Sequence, residues 1–357
     1  MVPAALYGIF DGTVSASVNG FINGAVIGLV AVGLVLVYKG ARVFNFAQGE
    51  FGTVAAFATW LVFTYGSQHP LGLALAWGTV AGAFLFAILV GTIGLRAAAI
   101  AGGTGAALMT WLLQAGPQPL WVAIPIGLIA GTVFGLAVER FVVRPLGDSA
   151  RVIVLVATAG VAIGTISLQL FLGEAEVRVL APLYQFRDAA GDPSALFFLG
   201  AAVQAQHLII LGVLAVSALA LWLFFSRTNL GLAVLGTSQD TLATRLTGIS
   251  VNRVSAFVWG LAALMGSAAG ILYAGSVFLA PGLVTGSLLI PAFAGAVLGG
   301  MTSLPGAFIG GLVIGMARDV GAQVIPETVT GGADLTVFAL LLLVLLVRPQ
   351  GLLGSET

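Results

Sequence analysis

Few residues in this 357-residue chain could organise chemistry: two histidines, a single lysine, and a glutamate at the start of an apolar stretch. His69 and His207 fall at the ends of apolar runs, and no pair of His, Asp or Glu has metal-ligand spacing, so both read as interfacial polar residues. Cysteine is absent, which excludes disulfides, thiolate metal sites and cysteine nucleophiles. There is no Gly-x-Ser-x-Gly elbow. A phosphate-binding loop needs Gly-Lys-Ser/Thr, whereas Lys39 sits in Tyr-Lys-Gly-Ala, so the chain cannot hold ATP in such a loop. The remaining candidate is Glu50, in the run Phe44-Asn45-Phe46-Ala47-Gln48-Gly49-Glu50-Phe51. An ionised side chain at the centre of an inserted helix costs about 2.5 to 3.5 kcal/mol, so it needs a reason. Two reasons stay open. The free amides of a helix N-terminus stabilise a carboxylate. Alternatively Asn45, Gln48 and Glu50, with Phe46, Ala47 and Gly49 between them, present polar groups to a solute at a helix break.

The elements that must position these groups are membrane spans. Hydrophobic residues make up 59% of the chain and charged residues 7%, with a mean hydropathy of +1.13. A soluble domain carries roughly a quarter charged residues. The net charge is zero, which gives no bulk attraction to nucleic acid. A span needs about 20 apolar residues, because every backbone amide must be satisfied within a hydrocarbon core roughly 30 Å thick. By that ruler the sequence predicts an all-α polytopic membrane protein of nine to ten transmembrane helices in one transmembrane domain over 1–357. Spans are expected near 14–37, 46–65, 71–95, 97–114, 120–138, 152–172, 208–225, 254–274 and 334–347. A Gly/Pro-broken helical hairpin is expected over 287–317. Clustered glycines, such as Gly266 with Gly270, Gly299 with Gly300 and Gly310 with Gly311, suit close backbone approach in lipid. The first residues lack the basic segment of a cleaved signal, so insertion is expected to rest on the first span.

With the N-terminus outside, ten of the 13 cations fall on inner connections: Lys39, Arg42, Arg96, Arg140, Arg144, Arg151, Arg227, Arg245, Arg253 and Arg348. Only Arg178, Arg187 and Arg318 fall outside, and this bias favours a cytoplasmic C-terminus. Parity then requires the broken hairpin to enter and leave on the outer side as two half-helices. Glu174, Glu176, Asp188 and Asp192 lie in an outer loop over 173–206. The inner connection over 226–253 reads as a folded module. Ser238, Gln239 and Asp240 signal a helix start, Thr241 to Leu246 suits a short helix, and Gly248 supplies the stop. Such a helix is either a knob for a partner's groove or an ordinary interfacial helix.

Four separated blocks, in order along the chain, carry a family resemblance. They are VGLVLVYKGARVFNFAQGEF from Val32, ERFVVRPL from Glu139, GLAVLGTSQDTLATRLTGISVNRV from Gly231 and AVLGGMTSLPGAFIGGLVIG from Ala296. The ending LLLVLLVRPQGLLG from Leu341 is similar too. The chain resembles the permease subunit of bacterial ABC importers for branched-chain amino acids. The resemblance implies an inner-membrane subunit that pairs with a second, related permease and binds two cytosolic ATPase subunits, which carry ATP and Mg. It also implies an extracytoplasmic solute-binding protein, for which the 173–206 loop is a candidate surface, and no cofactor in this chain. Asp240, Ala243, Thr244, Gly248 and Ile249 match the family's ATPase-facing loop, and Ser238 and Gln239 adjoin them. Asn45, Phe46, Ala47, Gly49 and Glu50 match its polar signature, with Gln48 where the family often has histidine. The apolar pair over 71–114 is additional to the family's pattern.

The broken hairpin, with Gly299, Gly300, Ser303, Pro305 and Gly306, has two readings: it lines the path, or it is purely structural. A self-sufficient channel or secondary carrier for a small polar solute is the competing function. It would need neither the inner module nor a nucleotide.

Overall fold

The computed structural model describes residues 4–64, 71–115, 117–147, 149–173, 176–188, 192–326, 328–329, 331–348 and 350–354. His69 and Glu174 lie outside them. The chain is a polytopic helical membrane protein. Among the described residues seven helices are long and apolar enough to cross a membrane. Its helices are α1 (Ala4–Ala41), α2 (Gln48–Thr64), α3 (Leu71–Ile93), α4 (Leu95–Gln114), α5 (Leu120–Val138), α6 (Arg151–Gly173) and α7 (Ala205–Arg227). There follow α8 (Asn229–Gln239), α9 (Thr241–Leu246), α10 (Val251–Ala274), α11 (Leu283–Ser287), α12 (Leu289–Gly299), α13 (Leu304–Val324) and α14 (Gly332–Val347). Four short strands interrupt the helical pattern in the 173–206 loop: β1 (Phe186–Arg187), β2 (Pro193–Ser194), β3 (Leu196–Phe198) and β4 (Ala201–Val203). They form two antiparallel hairpins, β1 with β2 and β3 with β4.

The helices fall into two compact units, one of residues 1–42, 181–249 and 286–357, the other of 43–180 and 250–285. In the first unit α1 is apolar all round and buried all round from Ala25 to Val37, as a helix without a polar face must be. It packs along α13, where small residues bring the backbones together. A Cβ at Gly24 would stand 2.8 Å from Leu312 Cα and its carbonyl oxygen, the close approach expected of spans packed without a hydrophobic driving force.

The broken segment differs from its expected form. α12 is short, with 11 residues, but α13 has 21 and is a full span, not a half-helix. The turn between them lies at the end of the unit that holds Lys39, whose Nζ donates to Thr302 O at 3.3 Å. The chain after α14 is there too, with Leu352 N donating to Leu298 O at 2.7 Å. On the positive-inside assignment the turn therefore reaches the inner side, whereas half-helices entering from outside would turn within the membrane. The glycines misled the reading: Gly299 and Gly300 end α12, but those inside α13 serve packing and leave it a full span. Arg318 accordingly sits within α13 and not in an outer connection, donating to Ser287 O at 3.3 Å and facing Asp334 at 3.5 Å.

In the second unit α2, α5 and α10 pack together. α3 and α4, the additional pair, form a hairpin turned at Gly94, whose φ of 85° suits glycine. Beyond α5 the helix widens through Glu139–Val143 and tightens through Arg144–Leu146. There buried Glu139 pairs with Arg144 at 2.8 Å, and Arg144 also reaches Asn252 O. This pairing explains two of the three charges of the ERFVVRPL block, Glu139 and Arg144.

Candidate functional site

The polar run is placed by the helix that follows it. Gln48, the first residue of α2, donates from Nε2 to Ala262 O at 2.8 Å. Ala262 stands 11 residues along α10 from its first residue, Val251, about 16 Å at helical rise. Farther along, α2 lies backbone to backbone on α10, since a Cβ at Gly52 would stand 2.6 Å from Gly266 O. α2 thus starts about half way along the span made by α10. Residues 43–47 reach that depth without helix. Non-helical backbone at membrane depth survives only where protein or a water-filled cavity covers it.

Side chains supply that cover. Asn45 Oδ1 accepts from Ala47 N at 3.0 Å, and Asn45 Nδ2 donates to Gln48 Oε1 at 3.3 Å. Thr158 of α6 accepts from Phe46 N at 3.2 Å. Asn45, Gln48 and Glu50 are fully buried, whereas the Phe46 ring is exposed. Glu50 is held on one side only. Its Oε2 accepts from Gln169 Nε2 at 2.7 Å, and Gln169 Oε1 accepts from Gly282 N at 3.0 Å. Its Oε1 is buried without a hydrogen-bond partner. The Thr285 hydroxyl stands beside the carboxyl and interacts with it, and neither Thr285 Oγ1 nor Glu50 Oε1 has a partner elsewhere among the described residues. Gly49 makes this proximity possible, because a Cβ there would come within 2.7 Å of Thr285 N and Cα. Thr53 Oγ1 pins the same stretch by accepting from Val284 N. The result is a helix start at mid-span, with a buried carboxylate oxygen and a hydroxyl side by side. A ligand that donates hydrogen bonds would satisfy both.

The other expected residues are arranged differently. Gly299, Gly300, Ser303, Pro305 and Gly306 form the α12–α13 turn in the first unit. Gly300 has φ 97°, and Ser303 Oγ caps α13 by accepting from Gly306 N at 3.1 Å. A Cβ at Gly299 would overlap the Gly306 carbonyl. In the inner module, Ser238 and Gln239 end α8 instead of flanking a helix start. Asp240 caps α9, its Oδ1 accepting from Ala243 N at 3.0 Å. Gly248, at φ 83°, stops it, and Ile249 N returns to Thr244 O. Arg42 ties the module to the end of α1 through Ser238 O at 3.1 Å. Thr244 is buried, Ile249 is on the border of exposure, and Leu246 is 82% exposed.

Sequence reasoning missed Gln169, Thr285 and a second intramembrane acid, Asp319, which accepts from Asn23 Nδ2 at 2.7 Å. A lone amide or acid in an apolar run was the available signal.

The family model described as branched-chain amino acid transport system / permease component matches residues 93–347. The chain is 28% identical over 340 residues to the high-affinity branched-chain amino acid transport system permease protein BraD of Pseudomonas aeruginosa, with 94% of each covered. It is 27% identical over 340 residues to the corresponding protein LivH of Escherichia coli, again with 94% of each covered. The ribose import permease protein RbsC of Escherichia coli is 33% identical over 114 residues, 30% of this chain and 35% of that one.

Proposed function

Since the chain belongs to the family of branched-chain amino acid transport permease components, we propose that it carries a branched-chain amino acid or a related small polar solute through the bacterial inner membrane, past the Asn45–Glu50 elbow. It is the permease component of an ABC importer. The observation that carries the proposal is Glu50, a buried carboxylate at mid-span with one oxygen held by Gln169 and the other unmatched. An ammonium group has donors for the spare acceptor capacity of Glu50 Oε1 and the Thr285 hydroxyl, and it offsets the charge that makes a buried acid costly. Asn45 and Gln48 hold the elbow's shape, Phe46 and Ala47 carry the backbone to depth, and Gly49 lets the α11 stretch approach.

Energy comes from outside the chain: ATP and Mg would bind to two cytosolic ATPase subunits. Asp240, Ala243, Thr244, Gly248 and Ile249, with Ser238 and Gln239 behind them, would receive those subunits through α9 and its exposed Leu246. Closure of the ATPase pair would then move the spans as rigid bodies and switch access from outside to inside. A second, related permease completes the pore, an extracytoplasmic binding protein delivers the solute, the N-terminus is outside and the C-terminus is cytoplasmic. For Gly299, Gly300, Ser303, Pro305 and Gly306, the closed hydrogen bonding of the turn supports the structural reading over a lining role.

Copurification of the tagged chain from native membranes tests the assignment. Wild type should bring down an ATPase, and Asp240→Arg, which removes the α9 cap and reverses its charge, should lose it at matched expression. A wild-type chain that recovers no ATPase under gentle solubilisation would move the carrier reading to the front.

A further inference from the structure

The two hairpins of the 173–206 loop have opposite surfaces. The β1–β2 hairpin bears Arg187, Asp188 and Asp192, whereas no charged residue occurs between Asp192 and Arg227. β4 packs against α1 through buried Ala201 and Val203. Its partner β3 is exposed throughout, with Phe197 81% exposed and Leu196 and Phe198 more than half exposed. The turn between them places Leu199 at φ 50° and Gly200 at φ 79°, the two left-handed positions of a tight hairpin turn. Asn, Asp or Gly would take the first position with less strain. The chain instead puts an exposed leucine there.

Height decides what this apolar tip meets. Gly200 lies against Ser15, 3.8 Å from Ser15 Cβ for a Cβ built there. Ser15 stands 24 residues along α1 from Lys39, about 36 Å at helical rise. The hydrocarbon core is roughly 30 Å thick and the headgroups extend the bilayer to about 40 to 45 Å. With Lys39 at one boundary, the tip stands in the opposite headgroup layer, and the chain enters the α7 span only a few residues later.

We infer that the β3–β4 hairpin is a lipid anchor: Leu196, Phe197, Phe198 and Leu199 enter the headgroup–acyl boundary of the leaflet opposite Lys39. Aromatic and aliphatic side chains without charge favour that layer. The charged β1–β2 hairpin stays in water, where it remains open to a protein partner.

The chain has no cysteine, so Phe197→Cys and Leu199→Cys each give a single thiol for a nitroxide label. The full chain is reconstituted in phosphatidylethanolamine–phosphatidylglycerol vesicles, and collisions with dissolved oxygen and with an aqueous nickel chelate are measured. Val216→Cys on exposed α7 and Asp192→Cys on the first hairpin serve as lipid and water references, each variant being monodisperse with wild-type melting. The oxygen-to-nickel ratio at both tip sites should be several-fold above that at Asp192 and should approach that at Val216. A ratio equal to that at Asp192 would overturn the anchor in favour of water. Low access to both reagents would overturn it in favour of a protein contact.

Discussion

The elbow at 43–50 and the turn at 299–306 each interrupt a helix inside an apolar stretch, and they solve the backbone problem in different ways. The turn is satisfied by its own groups and by the chain after α14. Gly300 N bonds Val297 O, Ser303 N bonds Gly300 O, Ser303 Oγ caps α13, and Leu353 N returns to Gly299 O. The elbow is held by its own Asn45 and by groups from other elements, Thr158, Gln169 and the α10 carbonyl of Ala262, and Glu50 Oε1 keeps only the Thr285 hydroxyl beside it. Broken helices are therefore not equivalent signs of function. A buried polar group without a partner is costly, and the proposed function assigns the one at mid-span to a ligand.

Substitutions break or sharpen this contrast. The largest loss of stability is expected from Gly299→Val, which forces a branched side chain onto the Gly306 backbone, a cost of about 3 kcal/mol or more. The protein should accumulate poorly and melt early, while uptake per folded molecule stays near wild type. Gln169→Leu comes next. It strips the partner from both Glu50 Oε2 and Gly282 N, about 1 to 3 kcal/mol for each buried group left unpaired. Here melting and uptake should fall together, and a loss of melting alone would place Gln169 with the turn's residues as purely structural. The smallest effect belongs to Ser303→Ala, about 1 kcal/mol for a lost helix cap. Uptake should not change. A transport defect in this variant at wild-type melting would return the turn to the solute's path.

What the sequence revealed follows the range of each interaction. The inner module was legible because its signals are local: Asp240 caps α9 three residues ahead, and Gly248 supplies a positive φ just past its end. The membrane class was legible from composition alone. The depth of the elbow was not, because it depends on Gln48 meeting Ala262, 214 residues away. Nor was the pairing of Glu50 with Gln169, 119 residues apart. The turn's depth was misjudged because glycine-rich α13 was taken for a half-helix, though its glycines pack on α1 and α12. The strands went unseen because β1 and β2 are two residues each and β3 and β4 three, too short for alternation to register.

Transport by Glu50→Gln tests the central claim most directly, because glutamine keeps the size and the acceptor facing Gln169 but removes the charge. ATP-driven uptake is measured in vesicles that hold the variant or wild type with their ATPase and binding-protein partners, at matched insertion and melting. Transport should fall by an order of magnitude or more, with ATPase recovery unchanged. Uptake at the wild-type rate would contradict the account and reduce Glu50 to a carboxylate stabilised by the start of α2.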